Sequence, residues 1–249
     1  MRGIDSSRPS DGRERPIRLE VIPKPGGGAR TLVHLSDRDR RRFETAVAAV
    51  TPRVERALSR SARANRAKRT ATGIELEPWR HARRRFRRSF EVSAGPARAV
   101  FVGDVVDCYG SITTATVERA LRCVGVPSNE IERIAQVLRG FHERGVRGLP
   151  IGPEPSAVLA NAVLAPVDRA LALASRGPVL RWVDDVMAFA STRGDATRAA
   201  AAFERALDDI GLVAHPHKTG IVDDREMLGT VASTGSLARA RPRDMMRQP

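Results

Sequence analysis

Residues 180–190 read LRWVDDVMAFA and place two adjacent carboxylates, Asp184 and Asp185, inside an apolar run. Neighbouring anions repel, and burying either without a partner is costly. The same dipeptide occurs twice more and supplies a contrast. Asp208 and Asp209 end an amphipathic helical pattern, RAAAAFERALDDIGL, where one solvated face accounts for them. Asp223 and Asp224 fall in a polar turn, IVDDRE. Only the 184–185 pair has β-type residues on both sides, so it marks the turn of a hairpin. Such a turn either carries its tip in water or holds carboxylates over divalent metal.

The chain around it has 249 residues, enough for one large domain or two small ones. Forty-three basic residues against 29 acidic ones leave a net charge of +14. That balance suits a polyanionic partner, nucleic acid first and an anionic membrane surface second. Aromatics make up only 4%, so base stacking rests on few side chains. Two cysteines, Cys108 and Cys123, form neither a disulfide framework nor a zinc site. Residues 1–16 lack the apolar core of a signal peptide. No apolar run approaches the roughly 18 residues that span a bilayer, AVLANAVLAPV being the longest. The expectation is a soluble, cytoplasmic chain with no membrane partner. Lys24, Lys68 and Lys218 are the only lysines among those 43 cations. Where arginine is the default, a lysine hints at a site needing a compact or titratable ammonium.

Along the chain, residues 1–16 read as disordered. IRLEVIPKPGGGARTLVHL (17–35) alternates around a glycine run and predicts a hairpin with a flexible tip. Ser36 caps a helix through residues 37–50, with a break or second helix near Pro52. Residues 59–90 are basic with weak periodicity. RAVFVGDVVDCY predicts a strand ending at Asp104, followed by two helices joined at Pro127. A loop at 148–155 feeds a long helix from about Ser156 to Ala174. PVLRWV and VMAFA flank the Asp pair, then come a helix at 195–210 and two short strands, TGIV and EMLGTV. This order predicts an α+β fold, a small antiparallel split βαβ sheet with helices on one face. In such a sheet the end of the Asp104 strand lies beside the Asp184–Asp185 turn.

Six ordered stretches resemble the prokaryotic reverse transcriptases, the group with retron, group II intron and abortive-infection enzymes. DVVDCYGSI (104–112) resembles the first palm motif, and GLPIGPEPSAVLAN (148–161) the template and nucleotide loop with its helix. RWVDD resembles the metal-binding hairpin usually written YxDD. GLVAHPHKT (211–219) resembles the later motif ending in lysine, MLG (227–229) the primer-gripping strand, and IPKPGGGARTL (22–32) the fingers hairpin. The resemblance covers about residues 20–230. It implies a right-hand polymerase with fingers at 17–97, a palm at 98–230 to which 120–148 adds fingers structure, and a basic tail at 231–249.

The resemblance also implies RNA-directed DNA synthesis with two Mg²⁺ or Mn²⁺ ions, dNTPs, an RNA template and a DNA or RNA primer. Asp104, Asp184 and Asp185 are then the metal ligands and catalytic carboxylates, and Lys218 a candidate general acid. Lys24 and Arg30 fall where the family contacts the triphosphate, and Gly26–Gly28 lets that hairpin close. Tyr109, the only tyrosine, stands at the steric gate against a 2′-hydroxyl, and Asp107 orders the same loop. Ile151 and Gly152 contact the nucleotide. Small bacterial enzymes of this resemblance serve in defence against phage, which is the expected biological role.

Two departures stand out. Ile151 replaces the usual glutamine, which opens template-independent or protein-primed synthesis as an alternative. Trp182 replaces the hairpin tyrosine and keeps an aromatic surface for nucleic acid. Six arginines in nine residues, Arg80 to Arg88, form a basic cluster in which Arg80, Arg83, Arg84 and Arg85 are expected to track a nucleic-acid backbone. His215 and His217 show no third ligand and read as loop residues. After MLG no helical thumb is recognisable. The missing grip is expected from a partner protein, a second copy of the chain or a structured non-coding RNA. A non-catalytic RNA-binding subunit with the same fold is the other alternative.

Overall fold

The computed structural model describes residues 17–24 and 28–223. The readings of residues 1–16, of Gly26, of the strand at Met227–Gly229 and of a tail without a thumb lie outside those residues.

The chain opens with an antiparallel hairpin of β1 (Arg18–Pro23) and β2 (Ala29–His34), closed by Lys24 N–H donating to the Gly28 carbonyl at 3.0 Å. Ser36 then caps α1 (Asp37–Ala57), its hydroxyl accepting from Asp39 N–H. The expected break at Pro52 does not occur, and α1 runs through it to Ala57. An interior proline costs about 3 kcal/mol. Phe43, Val47, Val50 and Val54 lie fully buried on both sides of it, and each contributes roughly 1.5–3 kcal/mol. That buried stripe outweighs the missing hydrogen bond.

The basic stretch after α1 resolves into a short hairpin, β3 (Ala67–Arg69) with β4 (Ile74–Leu76), and a helix, α2 (Trp79–Ala94). In α2, Ala82, Phe86 and Phe90 recur every fourth residue and are buried. The sheet at the centre has the order β6-β7-β5-β8, every pair antiparallel, built from β5 (Ala99–Gly103), β6 (Val179–Trp182), β7 (Asp185–Ala190) and β8 (Gly220–Val222). Between β5 and β6 run α3 (Cys108–Ser111), α4 (Thr114–Cys123), α5 (Ser128–His142) and α6 (Glu154–Ser175). α7 (Arg193–Ile210) connects β7 to β8.

Strand alternation sorts the core into two sides. Ala99 and Phe101 join the main core with Val163, Val167 and Phe203 from α6 and α7. Val100 and Val102 face the other way, onto Phe86 and Phe90 of α2. The expectation of helices on one face is therefore corrected: α2 covers the second face. α6 also corrects the view that no segment is long and apolar enough to cross a membrane. By length and composition it is, yet 67% of its most apolar window is buried inside the protein as the central core helix.

Candidate active site

The sheet register builds the carboxylate cluster. Gly103 pairs with Val186, so one step further along the strands Asp104 comes opposite Asp185. Trp182 pairs with Asp185 across the β6–β7 hairpin, which leaves Val183 and Asp184 as a two-residue turn. Val183 has φ +61, a conformation that a first turn position normally reserves for glycine and that strains a β-branched residue. Asp104 is 4% exposed, and Asp184 and Asp185 are half-buried.

These carboxylates crowd one another. Burial, then the charge of Asp104, pushes Asp184 up to about 6. Burial, then Asp184 and Asp104, pushes Asp185 up to about 8. Lys218 Nζ sits 2.6 Å from Asp104 Oδ2. Burial pulls that ammonium down, but the bond to Asp104 and the charges of Asp104, Asp185 and Asp184 together outweigh burial and hold it above the usual lysine range. The HPH turn delivers it: His215 N–H donates to the Asp104 carbonyl at 2.8 Å, and Lys218 N–H to the His215 carbonyl at 3.1 Å.

One lysine beside three carboxylates leaves the cluster short of positive charge. Among the described residues no three His, Cys, Asp or Glu side chains close into a cage for an ion. Mg²⁺ keeps waters and takes one or two carboxylates together with substrate phosphates. The hard oxygen donors of Asp104, Asp184 and Asp185 fit such ions.

Lys24, Arg30 and Ile151 line one cavity of about 420 Å³ with Asp107, Gly110 and Arg147. The hairpin is fastened to this wall by Val33 N–H, which donates to the Ile151 carbonyl at 2.9 Å. Tyr109 and Gly152 build the walls instead of lining them. Leu149 N–H donates to the Tyr109 carbonyl at 2.8 Å, and burial raises the Tyr109 phenol above its usual range. Gly152 has φ +127 and faces the Val33 carbonyl. Gly148 has φ +62, and a Cβ there would lie 2.2 Å from the Tyr109 carbonyl oxygen, so only glycine permits this approach.

Of the expected nucleic-acid residues, Trp182 and Arg83 meet: the guanidinium lies 5.3 Å from the indole. Arg80 and Arg84 are exposed on the same helix. Arg85 separates from them. It bonds both Glu77 oxygens at 2.6 Å and the Arg63 carbonyl at 3.2 Å, a clasp within the fold.

Sequence reasoning missed two arginines. Arg147 pairs with Asp107 at the cavity mouth. Arg181, inside the RWVDD stretch, is 1% exposed and bonds Asp168, Asn161 and the Val183 carbonyl. Its signal was Asp168 and Asn161, two buried polar residues seven apart on a mostly apolar helix.

A four-stranded antiparallel sheet with a carboxylate hairpin beside a strand-end aspartate defines a right-hand polymerase. Residues 22–232 match the family described as reverse transcriptase (RNA-dependent DNA polymerase). The chain belongs to that family, whose members are nucleotidyltransferases. Similar solved structures include the apo telomerase of Candida tropicalis truncated from its C-terminal domain, at 12% identity and TM-score 0.52, covering 84% of this chain and 50% of that one. The apo telomerase of Candida tropicalis has 13% identity and TM-score 0.50, covering 88% and 46%. The chain thus spans about half the length of these structures, and the likeness is one of fold. No curated protein matches the sequence.

Proposed function

We propose that this chain extends a DNA or RNA primer with dNTPs on an RNA template. The observation that carries this is the register pairing of Asp104 with the Asp184–Asp185 turn, a crowded carboxylate cluster on which Arg30, from the cavity it lines with Lys24, acts electrostatically. Asp104, Asp184 and Asp185 would hold two Mg²⁺ or Mn²⁺ ions, which when bound activate the attacking hydroxyl and stabilise the leaving pyrophosphate.

The chain's own residues do the rest. Lys24 and Arg30 neutralise and orient the triphosphate from the hairpin, whose fastening at Ile151 sets their height over the site. Tyr109 packs beneath the sugar and disfavours a 2′-hydroxyl. Lys218, ion-paired with Asp104, carries a proton within reach of the reacting end. Residues 17–97 serve as fingers and 98–230 as palm, with 120–148 supporting the fingers. A partner protein, a second copy or a structured RNA supplies further grip on the duplex. Antiviral defence is the biological setting we favour, on the likeness of the motifs to small bacterial enzymes.

A second reading, synthesis without a template, is favoured by one observation. Ile151 presents an apolar wall where the family usually places a glutamine. One experiment separates the readings: labelled dNTP incorporation on a primed RNA with Mg²⁺ or Mn²⁺, with product sequencing. The product should complement the template, and Asp184→Ala/Asp185→Ala should abolish it. Product of random or homopolymeric sequence would establish the second reading, and incorporation by the double variant would sink both.

A further inference from the structure

Aromatic side chains are scarce here and nearly all are hidden. The seven phenylalanines are buried, and Tyr109 and Trp182 are half-buried. Among the described residues Trp79 alone is an exposed aromatic, at 66%. A lone exposed apolar residue is commonplace. This one is continuous with a second indole: Trp79 meets Trp182 edge-on at 6.3 Å, and Trp182 leans on Phe86 at 5.3 Å and carries the Arg83 guanidinium on its ring. Trp182 stands two residues before Asp184, so the pair of indoles borders the catalytic turn.

Trp79 also heads the most basic helix of the fold. Arg80, Arg84 and Arg88 follow at every fourth position of α2, which places them on one flank. All three are exposed, and none makes an ion pair or hydrogen bond among the described residues. Arg85, the one drawn into a clasp, lies about 100° further round the helix than Arg84. The row covers about 12 Å of helix. That length matches three to four phosphates of one nucleic-acid strand at roughly 3.4 Å each.

We propose that Trp79 and Trp182 form a stacking platform for a base near the end of the strand that reaches the Asp184–Asp185 turn, with Arg80, Arg84 and Arg88 taking its phosphates. The choice of strand rests on the polymerase reading above. The occupant follows from charge: three guanidiniums with no partner among the described residues, on the helix that Trp79 heads, suit a polyanion with flat bases. An apolar protein surface would leave those cations facing nothing.

Trp79 and Trp182 are the only tryptophans in the chain, so intrinsic fluorescence reports the platform directly. The full chain is titrated with a primed RNA carrying a recessed DNA 3′ end, without dNTPs. Trp182→Phe leaves Trp79 as sole reporter, and its emission should be quenched saturably. Trp79→Ala should bind about tenfold more weakly, while its thermal unfolding stays with the parent because the ring is exposed. The Arg80→Ala/Arg84→Ala/Arg88→Ala variant should reduce the salt slope of log affinity by about 2–3. The proposal is overturned by unchanged Trp79 emission, or by Trp79→Ala binding within about twofold of the parent, which would leave the patch to a protein partner. Quenching without nucleotide incorporation would keep the platform and remove the polymerase; incorporation with no Trp79 effect would do the reverse.

Discussion

Arg181 and Asp168 meet as a two-pronged ion pair in the core, Nε to Oδ1 at 2.8 Å and Nη2 to Oδ2 at 2.9 Å, with neither side chain more than 1% exposed. The remaining nitrogen, Nη1, donates at 2.8 Å to both the Asn161 side-chain oxygen and the Val183 carbonyl. One guanidinium thus ties α6 to the strained residue that aims Asp184. Deleting one partner of a buried pair strands the other, at a cost of about 3–5 kcal/mol. Arg181→Met should lower unfolding free energy by that amount in urea titrations. Arg181→Met/Asp168→Leu should recover most of it, since apolar replacements of both partners leave no orphan charge. A double variant as unstable as the single would show that the pair is not the source of the loss.

The crowded carboxylates make stability depend on pH. The folded values of Asp184, about 6, and Asp185, about 8, lie above the ordinary Asp value of 3.8. A raised folded pKa stabilises the protein fully below the unfolded value, and that stability is lost as pH climbs through the folded one. In chelator, the melting temperature should therefore fall between pH 5 and pH 9. Millimolar Mg²⁺ should flatten this fall, because bound cations offset the same charges and displace the protons. Melts that run parallel with and without Mg²⁺ would argue against metal at these residues.

How much of this was legible depends on how local each signal is. The Asp pair stood out because β-type residues flank it on both sides. The Asp104 strand and the helices joined at Pro127 follow from periodicity, which the structure keeps in α4 and α5. Arg181 was hidden because nothing local separates one buried guanidinium from dozens of solvated ones. Its partners lie 13 and 20 residues away, and only their spacing on α6 hinted at them. Pro52 misled for the opposite reason: a local rule for breaking helices yields to a stripe of tertiary contacts. The covering of the sheet's second face by α2 was equally invisible, since arginines mask the fourfold recurrence of Ala82, Phe86 and Phe90.

Gly148 offers a test of the wall beneath the nucleotide cavity. It carries positive φ and lies against the backbone of Tyr109 and Gly110, so a methyl group meets main chain that cannot swing aside. Gly148→Ala should destabilise the fold by about 2 kcal/mol or more. By displacing Tyr109 it should also erode discrimination against ribonucleotides. Parallel urea titrations and single-nucleotide incorporation with dNTP and rNTP would measure both. Unaltered stability and selectivity together would mean that the loop sits farther from Tyr109 than described.

At the mouth of the same cavity, Asp107 and Arg147 carry opposite charges and should act oppositely on nucleotide binding. Arg147 adds a cation to the wall that already holds Lys24 and Arg30, but Asp107 engages it. An entering triphosphate is repelled by Asp107 and attracted by Arg147, so it competes for the guanidinium. Arg147→Ala should raise KM for dNTP several-fold with little change in kcat, because the lost attraction acts equally on bound substrate and transition state. Asp107→Asn keeps the side-chain shape over Gly110 while removing the competing charge, and should lower KM. Both effects should shrink in high salt, since the two side chains are 44–76% exposed and therefore screened. Shifts of the same sign in the two variants would mean that the pair braces the loop and does not tune its charge.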